Sequence, residues 1–318
     1  MKKIIIVSGD PNSINSEIIY KVWKKISKNI KKKIIFISNK KLLDQQFKKL
    51  KYKISTVSIN GLSSINFDDS IKILDVKINF NDPFKVSRKS SSRFINESLD
   101  LAHKLAKNKE VIGIINCPID KKNLNNEIGV TELLASKCKI KKDTEVMLIR
   151  NDYLSVSPIT THFNIKSISK KLSKSLIVKK ILVINNSFKK YFKKTPKIAL
   201  LGLNPHNAEF KKNSEEKKII LPAIRSLKKL KIFIKGPFAS DTIFINEYKK
   251  YDVVVGMYHD QVISPFKTLF KYNAINLTLG LKYLRVSPDH GVASDKVLLK
   301  RSNPQSLFEC IKFLNKFS

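Results

Sequence analysis

A chain of 318 residues is long enough for two ordinary domains, and with 42% hydrophobic and 28% charged residues it has globular usage, which excludes a wholly disordered or fibrous protein. Of 62 basic residues against 26 acidic ones, a formal net charge of +36, only six are Arg (Arg88, Arg93, Arg150, Arg225, Arg285, Arg301) and 56 are Lys spread over the whole length. Base readout and bidentate phosphate clamps favour Arg, so the charge is expected to be a dispersed surface property giving weak, salt-sensitive polyanion binding and no specific nucleic-acid partner. Three scattered cysteines, Cys117, Cys138 and Cys310, have neither disulfide-framework nor zinc-knuckle spacing. The opening run Ile4 to Val7 is too short for a leader and no segment reaches about 18 apolar residues, so a soluble cytoplasmic protein without a membrane partner is expected.

In chain order, Ile4 to Val7 predicts a strand, Gly9-Asp10-Pro11 a turn, and Ser16 to Ile30 a helix, together a βα unit. Further strands are expected at Lys33 to Ile37, Val111 to Ile115, Thr144 to Ile149, Ile181 to Ile184, Lys197 to Leu201, Lys231 to Ile234, Val253 to Val255 and Ala274 to Asn276. Helices are expected at Ser91 to Ala106, Ile165 to Ser175 and Pro304 to Phe317, with a hairpin or long loop over 61–89 and a Lys/Asn-rich loop over 121–129. Short β-branched runs alternating with amphipathic stretches indicate the α/β class with mostly parallel strands. No Gly-x-Gly-x-x-Gly or Walker-type loop follows any candidate strand, so neither standard nucleotide fingerprint is present.

Three of the five histidines follow strand-like or turn segments: Thr161-His162, Asn204-Pro205-His206 and Tyr258-His259-Asp260-Gln261. Loops at strand C-terminal ends are where open α/β sheets place ligands, and three neutral imidazoles suit a divalent metal. The alternative is that each imidazole merely closes a loop by a hydrogen bond. Ser240-Asp241-Thr242 carries a carboxylate that could serve a site or cap a helix.

From Leu201 to Ala293 the strings Gly202-Leu203-Asn204-Pro205-His206, Gly236-Pro237, Ser240-Asp241-Thr242, Met257-Tyr258-His259-Asp260-Gln261, Asn276-Leu277-Thr278-Leu279-Gly280-Leu281 and Arg285 with Asp289-His290-Gly291 occur in one order. The sequence resembles the NAD-dependent 4-hydroxythreonine-4-phosphate dehydrogenases of pyridoxal phosphate synthesis. Fainter echoes at Ser8-Gly9-Asp10-Pro11, Cys117-Pro118 with Lys121, Thr131-Glu132 and Thr161-His162 extend the likeness over nearly the whole chain. The resemblance implies a two-domain α/β/α subunit like the isocitrate and isopropylmalate dehydrogenases, with the active site in the interdomain cleft. Its expected boundaries are 1–130 with 265–318 for the first domain and 131–264 for the second.

It also implies a homodimer whose metal site is shared between subunits. His162 and His206 would bind a divalent ion (Zn, Mg or Co) together with His259 from the other subunit. Thr131, Lys267, Asn276 and Arg285 would contact a small phosphorylated substrate, and Asp241 and Asp260 would orient imidazoles or accept protons. NAD or NADP would take hydride from 4-phosphohydroxy-L-threonine, and decarboxylation would leave 3-amino-2-oxopropyl phosphate. Two departures stand out. Val130 occupies the place of a substrate-contacting His, and Asn207-Ala208-Glu209-Phe210 replace the glycines expected after His206. The alternatives are a dehydrogenase of another phosphorylated hydroxy acid, such as a threonate or erythronate phosphate, and a nonenzymatic polyanion-binding protein on a decayed dehydrogenase fold.

Overall fold

The run Ile4-Ile5-Ile6-Val7 forms β1 (Lys3–Val7), its four apolar side chains wholly shielded from water as in a sheet covered on both faces. This is a computed structural model that describes residues 1–62, 68–124 and 129–317, so 63–67 and 125–128, within the two expected loops, lie outside the described residues. Gly9, at φ +78°, turns the chain toward α1 (Asn15–Lys25), and a Cβ there would strike the carbonyl oxygens of Cys117 and Pro118. The chain continues through α2 (Lys28–Lys31), β2 (Ile34–Ser38) and α3 (Lys40–Lys49), whose N-cap Asn39 accepts from the Leu42 N–H. Next come β3 (Thr56–Ser58), β4 (Ile71–Asp75), α4 (Arg88–Leu105), β5 (Val111–Asn116) and α5 (Val130–Lys137). β4 falls where a hairpin or long loop was expected, over 61–89, and β3 lies just before that stretch. Lys72 breaks the apolar pattern of β4, yet its ammonium is buried on Asp68 and 2.7 Å from the Ser70 hydroxyl, while Ile71 and Ile73 fill the core.

The next stretch holds β6 (Val146–Arg150), β7 (Ser155–Pro158), α6 (Ile165–Lys171), α7 (Lys174–Ser187), β8 (Ile198–Leu201), α8 (Leu221–Lys229) and β9 (Ile234–Phe238). It closes with α9 (Ser240–Ile243), β10 (Val253–Gly256), α10 (His259–Phe270) and β11 (Ile275–Leu279). Its strands lie in the order β11-β6-β7-β10-β8-β9. β7, β10, β8 and β9 run parallel, whereas β6 is antiparallel to both of its neighbours. The strand expected at Ile181 to Ile184 is corrected: these residues belong to α7. Ile177, Ile181 and Ile184 form a helical stripe with no exposed surface, and Ser173 caps the helix by accepting from the Leu176 N–H.

After β11 the chain adds β12 (Leu284–Pro288) and α11 (Gln305–Asn315). β12 lies beside β5, completing a wholly parallel set β3-β4-β2-β1-β5-β12. The chain divides into two compact units, 1–138 with 282–318, and 139–281. The second extends through α10 and β11 because Phe266 and Ala274 share a core with Val156, Leu201 and Val254. Among the described residues no helix is long and apolar enough to cross a membrane.

Candidate active site

Parallel strands β7, β8 and β10 are neighbours, and the chain leaves each of their C-terminal ends toward one of the three candidate histidines. His162 is exposed beyond β7, His206 is exposed beyond β8, and His259 is half-buried at the start of α10. The His162 and His259 ring centroids lie 6.0 Å apart in the same chain, and Asp260 Oδ1 lies 2.7 Å from His259 Nδ1. That hydrogen bond leaves Nε2 as the ring nitrogen open to a ligand. Among the described residues no three His, Cys, Asp or Glu side chains of one chain gather as a metal-holding group. In donor chemistry the site fits a borderline divalent ion: two imidazoles side by side and a third on a neighbouring loop, one of them held by a carboxylate.

His206 sits in an unusual backbone. Residues His206, Asn207, Ala208, Glu209 and Phe210 all have φ between +49° and +55°. This left-handed run is costly for side chains other than glycine, so the segment where glycines were expected keeps a glycine-type conformation without the glycines. The residue that holds the start of this loop, Glu216, was not anticipated from sequence. It is completely buried, and its Oε1 accepts from the Leu203 N–H (2.8 Å) and the Asn204 N–H (2.9 Å). Burial works against its charge, but hydrogen bonds from Asn204 and Leu203 outweigh it and hold the carboxyl below its ordinary range. The available signal was the pair Glu215-Glu216, twelve and thirteen residues after Leu203, set between two lysine pairs.

Asp241 is exposed inside the first turn of α9, one residue past Ser240; the N-cap position belongs to Ala239. Lys267 is exposed in the last turn of α10. Asn276, on β11, has a buried Oδ1 that meets no hydrogen-bond donor among the described residues.

Thr131 and Arg285 come together in the first unit. Arg285, on β12 and 4% exposed, donates from Nε to Asn116 Oδ1 at 2.7 Å and from an Nη to Thr131 Oγ1 at 3.3 Å. Burial lowers the guanidinium pKa to about 10, with nearby Cys310 and Glu132 acting in the other direction, so it is a cation at neutral pH. Asn116 ends β5 immediately before Cys117-Pro118, and sequence reading passed over it because a strand-terminal Asn reads as a turn residue. Its side chain fixes the plane of the guanidinium, the group best matched to phosphate or carboxylate oxygens. Val130 opens α5 beside Thr131, while Lys121 and Lys122 lie exposed in a short turn after β5.

The family model described as pyridoxal phosphate biosynthetic protein PdxA matches residues 29–314. A 4-hydroxythreonine-4-phosphate dehydrogenase of Sulfurihydrogenibium sp. (strain YO3AOP1) is 35% identical, covering 98% of this chain and 97% of its own length. The solved structure of a 4-hydroxythreonine-4-phosphate dehydrogenase from Klebsiella pneumoniae superposes with a TM-score of 0.86 at 26% identity, over 100% of this chain and 99% of that one. Isocitrate dehydrogenase from Methylococcus capsulatus, at TM-score 0.51 and 10% identity over 99% of this chain and 85% of that one, shares the fold.

Proposed function

The chain belongs to the pyridoxal phosphate biosynthetic protein PdxA family, and on that premise we propose how its residues serve the family's chemistry. The protein is an oxidoreductase of pyridoxal phosphate synthesis, a 4-hydroxythreonine-4-phosphate dehydrogenase. Full-length similarity to curated enzymes of that name is the observation that carries the reading. In the proposed reaction, 4-phosphohydroxy-L-threonine is oxidised by NAD or NADP and then loses carbon dioxide. A divalent cation, when bound, would supply Lewis acidity to the hydroxyl oxygen on the carbon being oxidised, and the nicotinamide would accept the hydride from that carbon.

The chain's own groups divide the remaining work. Arg285, held flat by Asn116, binds phosphate or carboxylate oxygens, and Thr131 shares that anion through its hydroxyl. Asn276 Oδ1 accepts from a substrate donor, and Lys267 supplies a second cation. Asp260 orients His259 through Nδ1, and His162, His206 and His259 hold the metal within a homodimer. Asp241, exposed on a four-residue helix, is assigned to proton acceptance.

Two divisions of the histidines between subunits are open to test. The resemblance assigns His162 and His206 to one subunit and His259 to the other. The 6.0 Å separation of the His162 and His259 rings favours a second division, with those two from one subunit and His206 from its partner. The overall reading is tested by NADH formation with 4-phosphohydroxythreonine against threonate and erythronate phosphates, with and without added divalent metal. Turnover confined to the phosphosugar acids would replace the substrate assignment.

A further inference from the structure

Gln261 is 7% exposed, and its amide makes two short hydrogen bonds to main chain just beyond the ends of two neighbouring strands. Its Nε2 donates to the Gly202 carbonyl at 2.7 Å, and its Oε1 accepts from the Met257 N–H at 2.6 Å. Gly202 follows β8 four residues before His206, and Met257 follows β10 two residues before His259. The Met257 carbonyl in turn accepts from the Thr160 hydroxyl at 2.7 Å and the Thr160 N–H at 3.1 Å, and Thr160 lies two residues before His162. The backbone of one residue, Met257, is therefore tied to the other two loops, to the His162 loop directly and to the His206 loop through Gln261. Glu216 extends the tie by gripping the Leu203 and Asn204 N–H groups between Gly202 and His206, and its two oxygens also accept from Asn204 Nδ2 at 3.3 and 3.1 Å. Two glycines leave room for these side chains: a Cβ on Gly256 would press on Gln261, and one on Gly202 would collide with Asn207.

We infer that Gln261 is a positioning residue, a buried amide that locks the loops carrying His162, His206 and His259 to one another, with Thr160 and Glu216 as the outer members of the lock. The inference deepens the proposed function, since it rests on the reading that these three imidazoles form one ligand set. Glutamine suits the task because one planar group both donates and accepts, so it can satisfy a carbonyl beyond the end of one strand and an N–H beyond the end of the next. A buried carbonyl and N–H left without it would have no water to turn to, and the strand ends would separate or admit solvent.

The test uses protein isotope-labelled at its five histidines, with the ring C–H signals followed by NMR. Gln261→Met keeps the volume and removes both hydrogen bonds. It is expected to shift or broaden the His162, His206 and His259 signals together while those of His103 and His290, in the other unit, stay in place. Thr160→Val removes only the hydroxyl bond to Met257 and is expected to move His162 while leaving His206; should Gln261→Met not fold, Gln261→Glu, which keeps the acceptor for the Met257 N–H and loses the donor to the Gly202 carbonyl, is expected to move His206. Titration with Co2+ provides the second readout. Wild-type signals of the three histidines should broaden on binding, and Gln261→Met should weaken Co2+ about tenfold or more, the usual effect of losing a partner behind a metal ligand. If Gln261→Met moves His259 alone or none of the three, or Thr160→Val leaves His162 in place, the lock is overturned. If Co2+ leaves the wild-type signals unchanged, the metal reading fails by itself, while the joint shift in Gln261→Met still establishes the lock.

Discussion

Replacing Ala208 by Gly is expected to stabilise this protein, against the usual sign for that substitution. Ala208 sits at φ +49° and ψ +30°, third in a run of five left-handed residues. An L-residue there costs roughly 1–2 kcal/mol relative to the right-handed conformation, a strain that glycine does not feel. Against this, glycine gives the unfolded chain more freedom, a loss of roughly 0.5–1 kcal/mol, and the half-buried methyl contributes at most a few tenths more. The balance is a gain of about 0.5 kcal/mol, read most directly as a rise in the urea midpoint at unchanged slope. Ala208→Val is the matched control. A β-branched side chain fits the left-handed region worse than Ala, so its midpoint should fall by the equivalent of about 1 kcal/mol or more. If Ala208→Gly lowers the midpoint by an ordinary Ala-to-Gly amount, the strained conformation of the His206 loop is refuted.

Glu216→Gln should cost about 1–2 kcal/mol at pH 7, since a charged acceptor of main-chain N–H groups is replaced by a neutral one. Because the folded-state pKa is lowered from 4.5, the charge contributes stability above about pH 4.5 and loses it as pH falls through the folded value. The gap between wild-type and Glu216→Gln urea midpoints should therefore narrow below pH 4.5, and a constant gap would contradict the assignment. Mixing inactive single variants and assaying heterodimers distinguishes the two histidine divisions. His162→Ala with His259→Ala regains activity if His259 comes from the partner, whereas His162→Ala with His206→Ala regains it if His206 does. Silence from both pairs, in dimers shown to have mixed, removes the shared site. Val130→His should change the KM for phosphorylated substrate less than tenfold, and Lys121→Ala or Lys122→Ala should raise it more, because the exposed ammonium groups in the turn after β5 can supply the charge that Val130 lacks. Steady-state kinetics reversing that order would show the compensation to be absent.

Sequence alone determined the class of the fold, because Ile4 to Val7, Val111 to Ile115 and Val253 to Val255 are continuous apolar runs that only a doubly covered sheet can bury. It also marked the histidine loops and Arg285, since rare residue types after apolar segments stand out against a background of lysine. It misplaced Ile181 to Ile184 because four apolar residues fit a strand or a helix equally, and the choice was made by packing with Ile177 one turn earlier. It missed β4 because a buried lysine reads as a surface residue until its partners Asp68 and Ser70 are brought to it. Asn116, Glu216 and Gln261 share that physical reason. Each is an ordinary polar residue in the sequence, and each acquires its role from a main-chain or guanidinium group between 13 and 169 positions away, which tertiary structure alone brings within 3 Å and seals from water.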